Sequence, residues 1–278
     1  MQLSLDLAAA PLRVAVLGSG SAGNVLVVES GSSRLMVDAG FPCREIERRL
    51  ALRDLDPDAF DALLLTHEHW DHARGAARFA ARHGLPVYAT AGTLEELRLE
   101  ASGVPCRTIR SGEPAEVGAF VVEPFAVPHD AREPVGLVIE DGGGRRVGLV
   151  ADLGTRSRLA WGRLTDLDVL VLETNHDLEM LRNGPYPWPV KQRVASRHGH
   201  LSNREAAEGL PELVSDRLRW VVLYHLSRTN NLPLLAEEEV AAELERVGSR
   251  AEVRVSNQAE PTSWLEVAPV AGRLSAPG

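Results

Sequence analysis

At 278 residues, 44% of them hydrophobic and 25% charged, the chain is long enough to bury a sizeable core as one large domain or two small ones. Its formal charge of −9 excludes a protein that coats nucleic acid through its overall field, and leaves room for a local basic patch. Cys43 and Cys106 are the only cysteines and neither lies in a CxxC, which excludes a disulfide framework and a zinc ribbon.

The stretch Met1 to Pro11 lacks a basic, apolar leader, and no run approaches the roughly 18 apolar residues of a membrane span, so a cytoplasmic protein with no membrane partner is expected. Leu12 to Leu17 reads as a strand and runs into Gly18-Ser19-Gly20-Ser21-Ala22-Gly23-Asn24. A second strand, Val25 to Glu29, follows at once, so the glycines form a turn between strands. Such a turn either lets backbone N–H groups approach an anion or is a plain hairpin; with no helix after it, it is not a dinucleotide fingerprint. Arg34 to Gly40 is a further strand, ending in Asp38-Ala39-Gly40. Asp38 either orients a metal-ligating histidine from behind or caps the amphipathic helix expected over Arg44 to Leu52.

A strand over Ala62-Leu63-Leu64-Leu65 delivers Thr66-His67-Glu68-His69-Trp70-Asp71-His72, and a helix is predicted from Ala73 to His83. The cluster therefore occupies a loop at the carboxyl end of a strand, where α/β sheets place their ligand sites. On that loop His67 and His69 alternate towards one point, while Asp71 and His72 fall on the first helical turn. Imidazole and carboxylate suit zinc, manganese or iron, and four such groups exceed what one ion takes while keeping an open position. Two ions are the natural reading.

Beyond it come a short strand near Val87-Tyr88, a helix over Thr93 to Glu100, and a strand over Ala119 to Val127 ending in Pro128-His129-Asp130. Val135 to Glu140 and Arg146 to Val150 form a hairpin around Asp141-Gly142-Gly143-Gly144, and its second arm ends at Asp152. Asp168 to Leu172 is a buried strand leading to Glu173-Thr174-Asn175-His176. The passage Pro185-Tyr186-Pro187-Trp188-Pro189 is too rigid for regular structure, and a short basic helix is expected over Val190 to Arg197. Ser202 or Asn203 caps the next helix, with Glu205 placed for a capping box. A strand over Trp220 to Tyr224 delivers His225, and a helix near Ala236 to Val247 and a strand over Ala251 to Val255 complete the fold. The end from about residue 269 is expected to be loose. Ligand-type residues thus recur at strand ends, which points to one shared site.

His67-x-His69-x-Asp71-His72, followed by His129, Asp152 and His225, resembles the metallo-β-lactamase superfamily along almost the whole chain. Membership implies an α/β fold, the four-layer αβ/βα sandwich, as one domain over 1–278. It also implies a pair of divalent ions, zinc or manganese, held by His67, His69 and His129 on one side and by Asp71, His72 and His225 on the other. Asp152 would bridge them and Asp38 would stand behind. The glycine-rich turn, Glu173-Thr-Asn-His, Lys191-Gln-Arg193, Gly-His200-Leu-Ser-Asn and His225-Leu-Ser-Arg-Thr-Asn-Asn look like the YycJ/WalJ branch, on the nuclease side of the superfamily. That branch implies exonuclease action on DNA. The stretch between Asp152 and His225 is too short for the inserted β-CASP domain of RNase J relatives, so their RNA processing does not transfer.

In-line cleavage of a phosphodiester needs a nucleophilic hydroxide, neutralised non-bridging oxygens and help for the leaving oxygen; paired metals supply the first two. Besides Asp71, His200 is the expected catalytic residue, by resemblance, at the scissile phosphate. Ser19, Ser21, Asn24, Lys191, Arg193, Ser202, Asn203 and Asn230 are expected to touch substrate, and Arg197 and Arg204 either join Lys191 and Arg193 on the phosphates or lie on a solvated helix face. Glu173 and His176 are expected behind the site, unless His176 only caps the following helix. His83, before a glycine, reads as a helix end, and His198 is either surface or phosphate-facing. Two other classes compete. A hydrolase of a small phosphodiester, thioester or lactone is one, against which the basic residues and His200 favour phosphate. A flavodiiron or structural metal protein is the other, opposed by the intact His69 and by seven ligand candidates. Sequence does not fix the oligomeric state.

Overall fold

The computed structural model describes residues 10–269; the loose tail expected from about residue 269 falls, past Pro269, outside the described residues. Strands β1 (Leu12–Gly18), β2 (Val25–Ser30) and β3 (Ser33–Val37) form an antiparallel meander. Then β4 (Ala62–Leu64), β5 (Val87–Ala89) and β6 (Cys106–Thr108) add in parallel to β3, and β14 (Leu265–Val267) closes the far side against β1. The second seven-stranded sheet begins with an antiparallel run, β7 (Ala115–Val117), β8 (Phe120–Ala126), β9 (Val135–Asp141) and β10 (Arg146–Val150). It continues in parallel from β10 through β11 (Val169–Glu173), β12 (Trp220–Tyr224) and β13 (Glu252–Val255).

Period-two alternation sorts side chains into layers. In β1, Leu12, Val14 and Val16 enter a core shared with Val135, Leu137 and Ile139 of β9, whereas Leu17 joins a core on the other face. The shared core lies between the two sheets. On the outer face of the first sheet pack α1 (Cys43–Ala51), α3 (Ala76–His83) and α4 (Ala91–Leu97). The outer face of the second is covered by α5 (Arg158–Trp161), α8 (Asn203–Gly209) and α9 (Pro233–Arg246). Helix, sheet, sheet, helix is the expected four-layer order, and no further domain interrupts the chain between Asp152 and His225.

The register makes β1, β3 and β4 run one way in their sheet, and β8, β10, β11 and β12 one way in theirs. Ser19, Asp38, the histidine cluster, His129, Asp152, Glu173 and His225 all follow, or end, strands of these two groups.

Several boundaries differ from expectation. The helix predicted from Ala73 to His83 is two pieces, α2 (Trp70–Ala73) and α3, broken where Gly75 packs onto the carbonyls of Ala39 and Phe41. The basic helix is Trp188–Val194, labelled α7, after α6 (Leu178–Asn183), so it starts inside the proline-rich passage. Pro189 sits in its first turn, where no N–H is needed. Strands β6, β7 and β14 and helix α5 carry no pattern long enough to predict.

Candidate metal centre

Three of the strand ends deliver their side chains through an unusual backbone. Asp38 (φ 60°), Asp152 (φ 53°) and His225 (φ 59°) all adopt the left-handed conformation, which costs energy for a residue with a Cβ and persists only where surrounding bonds impose it. For Asp38 those bonds come from Thr66, whose N–H and hydroxyl both donate to Oδ1, at 2.9 and 3.0 Å. For His225, its N–H donates to Ser19 Oγ (2.7 Å) and Asn175 Nδ2 donates to its carbonyl (2.9 Å). Gly40 completes the frame, since a Cβ there would lie 1.8 Å from the Asp71 carbonyl oxygen.

Every histidine of the cluster has one ring nitrogen anchored on an oxygen. His72 Nδ1 lies 2.7 Å from Asp38 Oδ2, His67 Nδ1 3.1 Å from Thr66 Oγ1, and His69 Nε2 3.2 Å from the Asp130 carbonyl. His129 Nδ1 is 3.2 Å from the Gly199 carbonyl, and His225 Nδ1 is 3.2 Å from Glu173 Oε1. A carboxylate or carbonyl can only accept, and the Thr66 hydroxyl already donates to Asp38, so in the neutral ring each fixes the proton on the nitrogen facing it and leaves the other nitrogen as the lone-pair donor.

The bare atoms converge. One ligand atom from each of His67, His69 and His129 lies within 4.8 Å of the others, and the same holds for His67, His72 and Asp152, and for Asp71, His72 and His225. His69 Nδ1 and His129 Nε2 are 3.2 Å apart with each ring's proton held on its opposite side, so two lone pairs face each other. Two nitrogens each about 2.0–2.1 Å from a tetrahedral ion sit roughly 3.3–3.4 Å apart. His67 Nε2 and Asp152 Oδ2 are buried without a hydrogen bond. The latter is nonetheless 2.7 Å from His72 Nε2, a close approach outside hydrogen-bond alignment. Lone pairs opposed at short range and orphaned buried acceptors are what divalent cations satisfy, so the donor set fits two such ions, with Asp152 between the groups.

Glu173 organises the other wall. Fully buried, it places Oε1 2.7 Å from His200 Nδ1 and 3.2 Å from His225 Nδ1, while Oε2 accepts from Leu153 N–H (2.7 Å) and, more weakly, from Leu201 N–H (3.3 Å). Burial alone would raise its pKa, but His200 and His225 outweigh burial and hold it at about 2. Burial pulls His200 down, yet the Glu173 and Asp152 carboxylates raise it well above the ordinary histidine value. His225, also pulled down by burial, is pushed up to about 9 by Asp152, Asp71 and Glu173. Burial keeps His67 well below, and His129 below, the usual range, so both rings are neutral, as ligands must be.

The cluster opens into a cleft of about 200 Å³ whose lining includes His69, Asp71, Asp152, His200, Arg193 and Asn230. Ser21 also reaches it. The other expected substrate contacts do not. Ser19 and Asn24 lie beneath the floor: Ser19 Oγ donates to Asn24 Oδ1 (2.9 Å), and Asn24 Nδ2 approaches His72 Nε2 (3.1 Å). Ser202 and Asn203 are buried, the first capping α8 in a capping box with Glu205, the second paired with Asn231. Lys191 faces away, donating to the Arg182 carbonyl (2.7 Å), because two residues along a helix turn about 200° from Arg193. Arg193 pairs with Asp130; Arg197, Arg204 and His198 are exposed. His176 joins Ser202 through a backbone bridge, and burial lowers its pKa to about 4. Its Nδ1 has no partner, and Asp177, not His176, caps α6. His83 ends α3 against Gly84 and contacts Asp58 and Glu47. Sequence reasoning gave no role to Thr66, Asp130, Asn175, Tyr186 and Ser227; the last four line the cleft. Asn175 and Ser227 stand within quoted motifs, the only signal that pointed to them.

A family described as "Beta-lactamase superfamily domain" matches residues 33–226. The chain is 36% identical over 240 residues to the Bacillus anthracis protein named Exodeoxyribonuclease YycJ, covering 85% of this chain and 90% of that protein. It is 33% identical to the Streptococcus pneumoniae protein named Exodeoxyribonuclease WalJ, covering 84% and 88%. Among solved structures, the metallo-β-lactamase fold protein YhfI of Bacillus subtilis superposes with a TM-score of 0.70 at 19% identity, covering 93% of this chain and all of that one. Zinc-bound PqqB from Methylobacterium extorquens gives 0.67 at 20% identity, covering 90% and 99%.

Proposed function

The chain belongs to the metallo-β-lactamase superfamily, and from that membership we propose that it is a dinuclear, metal-dependent phosphodiesterase that degrades DNA from its ends. The observation that carries the reading is the set of five histidines, each with one nitrogen fixed on oxygen, whose ligand atoms converge with those of Asp71 and Asp152 in overlapping groups at and beneath the cleft. The names of the two bacterial relatives, both exodeoxyribonucleases, support DNA as substrate.

In this reading His67, His69 and His129 would hold one ion and Asp71, His72 and His225 the other, with Asp152 as the carboxylate shared between the two groups. Zinc or manganese pairs, when bound, supply a water nucleophile at neutral pH and offset negative charge at phosphorus. His200 does the remaining work at the leaving group. Its Nδ1 is tied to Glu173, so Nε2 is the nitrogen available to the cleft, and its raised pKa keeps a proton there. Asn230, nearly fully buried yet lining the cleft, and Ser21 bind the phosphate, and Arg193 reaches it by exchanging Asp130 for a non-bridging oxygen. Glu173 and Asp38 position histidines from behind, and the cell interior is the expected location.

His200→Ala tests the division of labour: it should keep about two metals per chain and lose most turnover on DNA. Loss of metal in that variant would instead make His200 a ligand.

A further inference from the structure

Behind the cleft, on the other side of α7, lies a second groove of about 510 Å³. Trp188, Lys191, Gln192 and Ala195 line it at i, i+3, i+4 and i+7, one face of the helix and its end, with Leu178 and Arg182 of α6 opposite. Arg193 and Val194, on the reverse face of the same helix, line the cleft. Trp188 is 66% exposed, an unusual state for the largest apolar side chain. Prolines at 185, 187 and 189 restrict the backbone around it, so little freedom is lost when something covers the indole. The charged residues that line it are cationic. Arg182 is exposed and 3.9 Å from Glu179 in a solvent-exposed pair it can leave for a phosphate, and Lys191, half-buried, has one donor on a carbonyl and two left over.

We propose that this groove binds single-stranded DNA, with one base stacked on Trp188 and its phosphates against Lys191 and Arg182. An aromatic face flanked by cations is the general means of holding unpaired nucleotides without reading their sequence. Duplex bases, already stacked on each other, offer no free face to the indole. The proposal rests on the nuclease reading for its orientation and adds a length rule. A helix is about 10 Å across and a stacked strand advances about 3.4 Å per nucleotide. The base on Trp188 therefore belongs to a nucleotide on the order of three positions from the phosphate in the cleft.

The test compares wild type, Trp188→Ala and Trp188→Phe, each manganese-loaded. Binding is read by anisotropy with labelled phosphorothioate oligothymidylates two and eight nucleotides long, and turnover with bis(p-nitrophenyl) phosphate. Expected is an about tenfold weaker affinity of Trp188→Ala for the octamer, most of it restored in Trp188→Phe. Dimer affinity, small-substrate turnover and metal content should stay unchanged. Equal octamer affinity in Trp188→Ala would overturn the proposal, as would an equal loss on dimer and octamer. So would a change of oligomeric state at unaltered octamer affinity, which would make the groove a contact between copies of the chain. A wild type that binds the octamer through Trp188 but cleaves no phosphodiester would leave this site standing and remove the nuclease reading.

Discussion

Glu173 is the point at which one atom's change should be felt by both halves of the site. In Glu173→Gln the side chain keeps its shape and exchanges one acceptor oxygen for an NH2 donor. If that donor faces His200 and His225, it opposes the two Nδ1–H groups now held at 2.7 and 3.2 Å. If it turns the other way, it opposes the N–H groups of Leu153 and Leu201. Either orientation loses two buried hydrogen bonds to a charged acceptor, each worth about 1.5–3 kcal/mol, so the metal-free variant should lose about 3 kcal/mol or more. The imidazoles can escape only by giving up the Nδ1 proton, which leaves the remaining proton on His225 Nε2, the atom 3.1 Å from Asp71. That proton competes with an ion. Affinity for the second metal should therefore fall about 10- to 100-fold, the usual effect of removing a residue that orients a ligand. Competition with a chromogenic chelator reads the affinity, and turnover at saturating metal reads His200 separately. A variant with wild-type affinity and turnover would refute the view that Glu173 positions these rings.

Two further outcomes follow from the same geometry. Gly40→Ala forces the Asp71 carbonyl away from a Cβ that would sit 1.8 Å from it, so it should lower metal content and thermal stability together; a stable, fully loaded variant would show that the loop yields freely. Loading the metal-free protein at pH 7.5 should release protons, because His225, pushed up to about 9 by its carboxylates against burial, is protonated there. A raised pKa means the proton is present below about 9 and must leave before the ion binds. His72, pulled down by burial yet held well above its ordinary value by Asp152 and Asp38, adds to the release, so second-site affinity should climb about tenfold or more per pH unit from 7 towards 9. Calorimetry in buffers of different ionisation enthalpy measures the release, and an identical heat in each buffer would count against it.

The layers and the strand-end donors were legible because both are written locally. Alternation in β1 and β9 marks buried strands, and His, Asp and Glu at their ends are costly to bury unless something binds them. Depth was not legible. Ser19, Asn24, Ser202 and Asn203 stand beside ligand motifs in sequence, yet the chain folds them under the floor, where they hold the loops that carry the ligands. Lys191 and Arg193 read as one basic cluster, but helical geometry sends them to opposite faces of α7. Strands β6, β7 and β14 are three residues each, too short for alternation to register, and they form because neighbouring strands offer unpaired edges. Thr66 and Asn175 were missed for a related reason: a hydroxyl or amide that fixes a histidine looks like any loop residue until the fold is known.

The most direct measurement is digestion of end-labelled single- and double-stranded DNA and RNA by the manganese- or zinc-loaded chain, beside Asp152→Ala with its metal content determined in parallel. The wild type should bind about two ions and shorten DNA progressively from its ends, while Asp152→Ala, lacking the carboxylate between the two ligand groups, should lose metal and all cleavage. A loaded, folded wild type that cuts no phosphodiester, or an Asp152→Ala variant that cuts as well as its parent, would contradict the account.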